Sequence, residues 1–257
     1  MLLEEFDNET NAVINPSFFK EKTSAFPKVC VAFFSKSIMK NLEKLNPEVI
    51  GDVANATHSF PVYKLDINGT AIAVYHAAVG APAAVGQFEE LIAYGAEKFL
   101  FVGYCGCLDG DTEEYSIIIP TKAIRDEGTS YHYLPASDFV ELNGSLINAI
   151  ETTLNKIGIG YKKGITWTTD AAYRETPKKV ARRKEQGAIT VEMEAAALAA
   201  VAKFRKVKYA HLLYSADNLG SEQYDPRILI THGQGKTAQQ EKILGVAFEC
   251  VSEIAKL

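Results

Sequence analysis

Apolar positions along the chain fall into short runs separated by helical patterns. Residues 28–34 (Lys-Val-Cys-Val-Ala-Phe-Phe) form a β-prone run bounded by Ser-Lys-Ser, which predicts a buried strand feeding a helix through Leu45. Residues 60–67 and 70–77 are β-prone runs joined by Asn68-Gly69, the dipeptide that best tolerates the positive φ angles of a two-residue hairpin turn. A helix over 83–94 follows, then a strand over 99–102 running into the glycine loop Gly103-Tyr104-Cys105-Gly106. Further strands are predicted at 115–119, 162–168, 187–191 and 207–214, with helical patterns at 137–157, 193–205 and 233–256. Strands separated by helices of this length predict an α/β fold: a single domain over 28–257, with a mixed central sheet flanked by helices on both faces. Residues 1–27 read as an irregular N-terminal arm. In such sheets ligands bind beyond the carboxyl ends of strands, so the loops after residues 34, 102, 168, 191 and 214 are where chemistry is expected.

Composition narrows the function classes. A formal net charge of −5 argues against a nucleic-acid or anionic-membrane partner, because both require a basic face. The opening Met-Leu-Leu-Glu-Glu-Phe-Asp is acidic where a secretory signal is basic and then apolar, and no apolar run is long enough for a membrane span. The expected location is the cytoplasm. Cys30, Cys105, Cys107 and Cys250 lack the paired spacing of a zinc site and read as small buried residues in a reducing compartment. No metal is expected.

Two acidic positions stand out. Glu192 and Glu194 flank Met193 where a strand passes into an Ala-rich helix. Acids in a first helical turn complement the macrodipole, which is one account of them. The other is that a carboxylate at a strand end accepts hydrogen bonds from a vicinal diol while the thioether packs on a sugar face. Asp217, in Tyr214-Ser215-Ala216-Asp217-Asn218, is either an Asx-turn residue or a carboxyl that reaches a ligand from a strand end. His76 and His132 are taken as packed or hydrogen-bonded residues without a catalytic role, and Arg125-Asp126-Glu127 as an ion-pair cluster.

The chain resembles the nucleoside phosphorylase-I family, which includes hexameric purine nucleoside phosphorylases, uridine phosphorylases and methylthioadenosine/S-adenosylhomocysteine nucleosidases. Three segments carry the resemblance: Val191-Glu192-Met193-Glu194-Ala195-Ala196, Gly103-Tyr104-Cys105-Gly106 after a strand, and Arg125-Asp126-Glu127-Gly128-Thr129-Ser130-Tyr131-His132. The resemblance implies that Glu192, Met193 and Glu194 bind ribose, with Glu194 on the 2′ and 3′ hydroxyls. It implies that Asp217 is the catalytic acid, protonating or hydrogen-bonding N7 of a departing purine. Cys105, Gly106, Thr169 and Tyr173 would line the base, with Ala172 where an aromatic ring is usual. The Gln-x-Arg pair that reads uracil in uridine phosphorylases is not in register after Tyr173, which disfavours a pyrimidine.

The phosphate side departs from the family. Its phosphorylases carry Gly-Asp-x-x-Arg after the first strand, an arginine on the strand before the glycine loop, and Ser or Thr in that loop. This chain has Phe34-Ser35-Lys36-Ser37, Phe101 and Tyr104 in those places. Ser35, Lys36 and Tyr104 remain as candidate phosphate ligands, with Ser35, Lys36 and the helix N-terminus behind them offering backbone N–H groups to an anion and Arg125 or Arg174 as added charge. The resemblance thus implies phosphorolysis of a purine nucleoside to free base and ribose 1-phosphate, with inorganic phosphate as co-substrate, no metal or organic cofactor, and a homo-oligomer, dimer or hexamer. Three alternatives stand beside it. One is a uridine phosphorylase. Another is a nucleosidase using water, although the acidic cluster that would activate the water is missing after the first strand. The third is a non-catalytic nucleoside-binding homologue.

Overall fold

The computed structural model describes residues 2–221, 223–228 and 237–257. Among these, a mixed sheet of ten strands runs through the molecule. The strands are β1 (Val29–Phe33), β2 (Glu48–Ala54), β3 (Ser59–Ile67), β4 (Thr70–His76), β5 (Lys98–Cys107), β6 (Ile117–Asp126), β7 (Phe139–Glu141), β8 (Tyr161–Thr169), β9 (Ala188–Glu192) and β10 (Lys208–Asn218). Their order is β10-β6-β8-β9-β5-β1-β4-β3-β2, with β7 paired to β6. Because β10 also pairs with β5, five strands (β5, β9, β8, β6 and β10) close into a ring, and β1, β4, β3 and β2 extend it. The helices are α1 (Lys36–Glu43), α2 (Ala81–Tyr94), α3 (Gly144–Lys156), α4 (Pro177–Glu185), α5 (Ala195–Arg205) and α6 (Thr237–Ala255). Five of them form two groups, α2 with α5, and α1 and α3 with α6, while α4 lies against β9. No helix among the described residues is long and apolar enough to cross a membrane.

The predicted β3–β4 hairpin is present, with Asn68 and Gly69 at φ 54° and 79° and the Gly69 N–H donating to Asp66. Beneath the ring, Phe88, Phe99, Phe101 and Tyr209 interlock edge to face, which adds directional contacts to the burial of large apolar surface. α5 is apolar on every side and buried from Ala195 to Ala202, so small residues let it lie close to the sheet and α2.

Four sequence expectations are corrected. The helix expected over 137–157 splits. Phe139–Glu141 pairs antiparallel with β6, and α3 begins only where the Asn143 side chain accepts from the Leu146 N–H. The glycine loop 103–106 is not a loop. β5 stays extended through Cys107 because β10 runs parallel beside it, with Ser215 opposite Cys105 and Asp217 opposite Gly106. Asp217 therefore sits inside β10 at a register shift, not beyond its end. Finally, β2 and α4 have no counterpart among the predicted elements. Of the helix predicted over 233–256, residues 233–236 lie outside the described residues, and the helix is described from Thr237.

Candidate active site

A cavity of about 1080 Å3 opens where β9 passes into α5, at the ends of β1, β5 and β10. That is the upper end of what a small-molecule site needs. The Glu192-Met193-Glu194 turn forms one wall, and its three residues do different work. Glu192 is buried, and its carboxylate accepts from the Glu194 and Ala195 N–H groups at 2.7 and 2.6 Å and from Thr168 Oγ1 at 2.6 Å. Those donors occupy both oxygens, so Glu192 caps α5 and fixes the turn while offering little to a ligand. Thr168 completes the clamp by accepting from the Ala196 N–H. Met193 is half-buried on the cavity wall.

Glu194 turns into the cavity. One oxygen, Oε1, accepts from the Gly80 N–H at 2.5 Å, across the chain at the β4–α2 junction, where Gly80 has a φ of 96° that glycine adopts without strain. The Met193 N–H also lies within hydrogen-bonding reach of this carboxyl, which faces the cavity. Burial, and then the neighbouring Glu192 carboxylate, push the Glu194 carboxyl up to about 8. Glu192 is also raised by burial, to about 7, against the pull of its own donors. Two buried acids this close share less than two negative charges near neutral pH.

Asp217 reaches the same cavity from the β10 register shift. It is buried, and burial pushes it up to about 6 against the Tyr224 hydroxyl, which donates to it, and the nearby Arg227 charge. Gly106 makes room for it. A β-carbon at that position would lie 2.6 Å from Leu219 Cδ1 and 3.2 Å from an Asp217 oxygen. A fourth acid in the cavity, Glu175, lies at the end of the Ala172–Arg174 turn and is pushed up to about 7 by burial and then by Asp217. Sequence reading passed over it because it lacks a motif.

Phe34 and Tyr104 make a different wall. Tyr104 lies within electrostatic reach of both Glu194 and Asp217. Behind it Gly103 leaves space that a β-carbon would fill, 2.9 Å from Phe34 Cδ2 and 3.3 Å from His211 Nε2. His211 is buried, faces the cavity and is held well below the ordinary histidine range, at about 3, by burial. Sequence reading missed it as well. Its signal was a lone histidine in the otherwise apolar run Tyr209-Ala210-His211-Leu212.

The remaining sequence candidates are placed less uniformly. Cys105 and Gly106 line the cavity, with the Cys105 thiol donating to the Tyr214 carbonyl. Tyr173 stands fully exposed at the rim. Thr169 is buried beside the cavity without lining it, and its hydroxyl accepts from the Ala171 N–H. Ser35 caps α1 and donates to Gln240 at 2.7 Å, and Lys36 is exposed; neither lines the cavity. Arg125 is spent on the loop that follows it, donating to Ser130, Ser137 and the carbonyls of Leu134 and Pro135. Arg174 is exposed and off the wall. Among the described residues, Lys184 on α4 is the one lysine or arginine that lines the cavity.

The sequence profile of the Phosphorylase superfamily matches residues 27–252. A guanosine phosphorylase of Halorubrum lacusprofundi is 30% identical over 148 residues, a stretch covering 56% of this chain and 60% of that enzyme. The chain thus aligns with less than two thirds of that relative's length. In structure, uridine phosphorylase from Vibrio fischeri ES114 superposes with a TM-score of 0.75 at 19% identity, covering 92% of this chain and 95% of the other. AMP nucleosidase from Bacteroides thetaiotaomicron superposes with a TM-score of 0.70 at 20% identity, covering 90% of each. At those identities the superpositions establish the fold.

Proposed function

The chain belongs to the Phosphorylase superfamily, and on that premise we propose that it cleaves the N-glycosidic bond of a purine nucleoside. The observation that carries this reading is the presence in one cavity of Glu194 and Asp217, two buried carboxyls with different surroundings. Glu194 accepts the ribose 2′ and 3′ hydroxyls on the carboxyl that it turns into the cavity. As the C1′–N9 bond lengthens, positive charge grows on the sugar ring, and the carboxylate pair at the β9–α5 turn stabilises it. The base leaves as an anion unless it is protonated. Asp217, held up near 6, carries a proton to N7 at modest cost and supports a purine over a pyrimidine. The guanosine phosphorylase relative fits a purine base as well.

Two acceptors are compatible with this chemistry. Transfer to inorganic phosphate is favoured by that relative's name. Transfer to water is favoured by a specific observation: among the described residues, neither Phe34 nor Tyr104 nor their neighbours bring a cation to that wall, and Lys184 lies on α4. Replacing Asp217 with Asn tests the leaving-group role. Purine release should fall by about 10²–10⁴-fold with the fold and nucleoside affinity retained. Unchanged turnover in that variant removes Asp217 from the reaction.

A further inference from the structure

His211 on β10 is 1% exposed, faces the cavity, and has an Nε2 with no hydrogen-bond partner. Folds rarely keep such an atom unpaired without a use for it. Everything else about the ring is fixed. Its Nδ1 lies 2.9 Å from Tyr209 Oη. Its faces lie against Phe34 and Phe101, with ring centroids at 5.9 and 6.2 Å. Gly103 keeps the approach to Nε2 open, since a β-carbon there would lie 3.3 Å from that nitrogen. The ring's anchor Tyr209 is within electrostatic reach of Glu192 and Glu194, and Tyr104, next to Gly103, senses both Glu194 and Asp217.

The charge of this region decides what the free nitrogen can hold. The imidazole is neutral at physiological pH. Glu175, Glu192, Glu194 and Asp217 line the cavity, each raised by burial and so only partly ionised near neutral pH, and among the described residues Lys184 is the one cation on its wall. A neutral ring cannot offset a phosphate dianion brought out of water into that cavity. It can accept one hydrogen bond from a neutral oxygen nucleophile. In the tautomer that donates Nδ1–H to Tyr209 Oη, Nε2 presents its lone pair to the cavity.

We propose that His211, fixed by Tyr209, holds a water molecule at the sugar face of the cavity, and that this water is the acceptor of the glycosyl group. This rests on the N-glycosidic reading above. The water oxygen bonds to C1′ as the C1′–N9 bond breaks, and the bonding pair leaves with the base, which takes the Asp217 proton at N7. His211 Nε2 accepts a hydrogen bond from the water and orients its lone pair on C1′, the proton lost by the water is released to solvent, and Asp217 is reprotonated from solvent. The products are free base and ribose, with no oxidant or co-reactant required.

The test uses the full chain with inosine, guanosine and adenosine, with and without saturating inorganic phosphate, in 18O-labelled water. The wild type should release base at the same rate in both conditions and yield ribose labelled at C1. His211→Leu, close in volume and without a polar atom, should lose about 10³-fold in kcat. Its nucleoside Kd by calorimetry should stay within about threefold, a split that a structural role would not give. Should that variant fail to fold, Tyr209→Phe keeps the ring and removes only the anchoring hydroxyl, and a loss of about tenfold in kcat at unchanged Kd is expected. Strict dependence on phosphate with ribose 1-phosphate as product would overturn the proposal while leaving the N-glycosidic reading standing. So would wild-type kcat in His211→Leu, or in Tyr209→Phe should His211→Leu not fold. Absence of base release from every nucleoside in both conditions overturns that reading and the proposal with it.

Discussion

The wall made by the β9–α5 turn and the end of β10 carries Glu192, Glu194 and Asp217, all buried, whereas the wall made by the ends of β1 and β5 carries Phe34 and Tyr104 with His211 behind them. The first wall is a cluster of partly ionised carboxyls in low dielectric, with backbone N–H groups of the α5 start and of Gly80 donating to two of them. The second is aromatic and, where polar, neutral. Together they favour a reaction centre that becomes cationic and an acceptor that is uncharged. A site built to hold a dianion needs the reverse on its second wall. The difference therefore separates the bond that is broken, which the carboxyls address, from the atom that replaces it, which the aromatic wall controls.

The comparison breaks first at Glu194. Glu194→Gln keeps the shape and one acceptor oxygen but removes the carboxyl's ability to ionise as positive charge grows on the sugar, and kcat/KM should fall by about 10³-fold in steady-state assays. Activity within threefold of wild type means that the carboxyl wall does not hold ribose. A smaller effect is expected on the aromatic wall. Gly103→Ala places a methyl group 2.9 Å from Phe34 Cδ2 and 3.3 Å from His211 Nε2. It should lower kcat by about 10–100-fold with little change in nucleoside affinity. An equal loss in affinity instead would place this wall against the nucleoside and not the acceptor.

The smallest effect is on stability. The Glu194 carboxyl lies at about 8 in the folded protein, above its ordinary value of 4.5, so the folded state holds more protons than the unfolded one between those values. Stability contributed by this group is present below pH 4.5 and is lost as pH rises through 8. Glu194→Gln removes that loss and should raise Tm at pH 8 by about 2 °C or more, with a smaller gain at pH 5. Thermal unfolding at the two pH values checks the sign.

Much of this contrast was legible in the sequence, for reasons that differ by residue. The hairpin turn was announced by Asn68-Gly69, whose positive φ angles few other dipeptides adopt. Glu194 and Asp217 were found because they interrupt apolar strand ends. Only the family resemblance separated Glu194 from Glu192, by placing Glu194 on the ribose hydroxyls; the residue pattern alone does not, because which carboxylate the α5 N–H groups occupy is set by the folded turn. α4 escaped notice because its sequence Pro-Lys-Lys-Val-Ala-Arg-Arg-Lys-Glu has no apolar stripe, although Thr176 as cap and Pro177 in the first turn were available signals. Ser35 and Lys36 look suited to an anion in one dimension. In three, the first hydroxyl is spent on Gln240, far along the chain, and the second side chain faces solvent. Glu175 and His211 join the cavity only through tertiary placement. For His211, the informative fact is the partner its Nε2 lacks, which no local pattern encodes.

The central claim, that this cavity breaks a purine N-glycosidic bond, is tested most directly by product analysis. The protein is incubated with inosine, guanosine, adenosine and uridine, with and without phosphate, and the released base is quantified by chromatography. Release of hypoxanthine, guanine or adenine, abolished in Glu194→Gln, is the predicted result. Release of uracil alone, or of no base from any nucleoside, would contradict it.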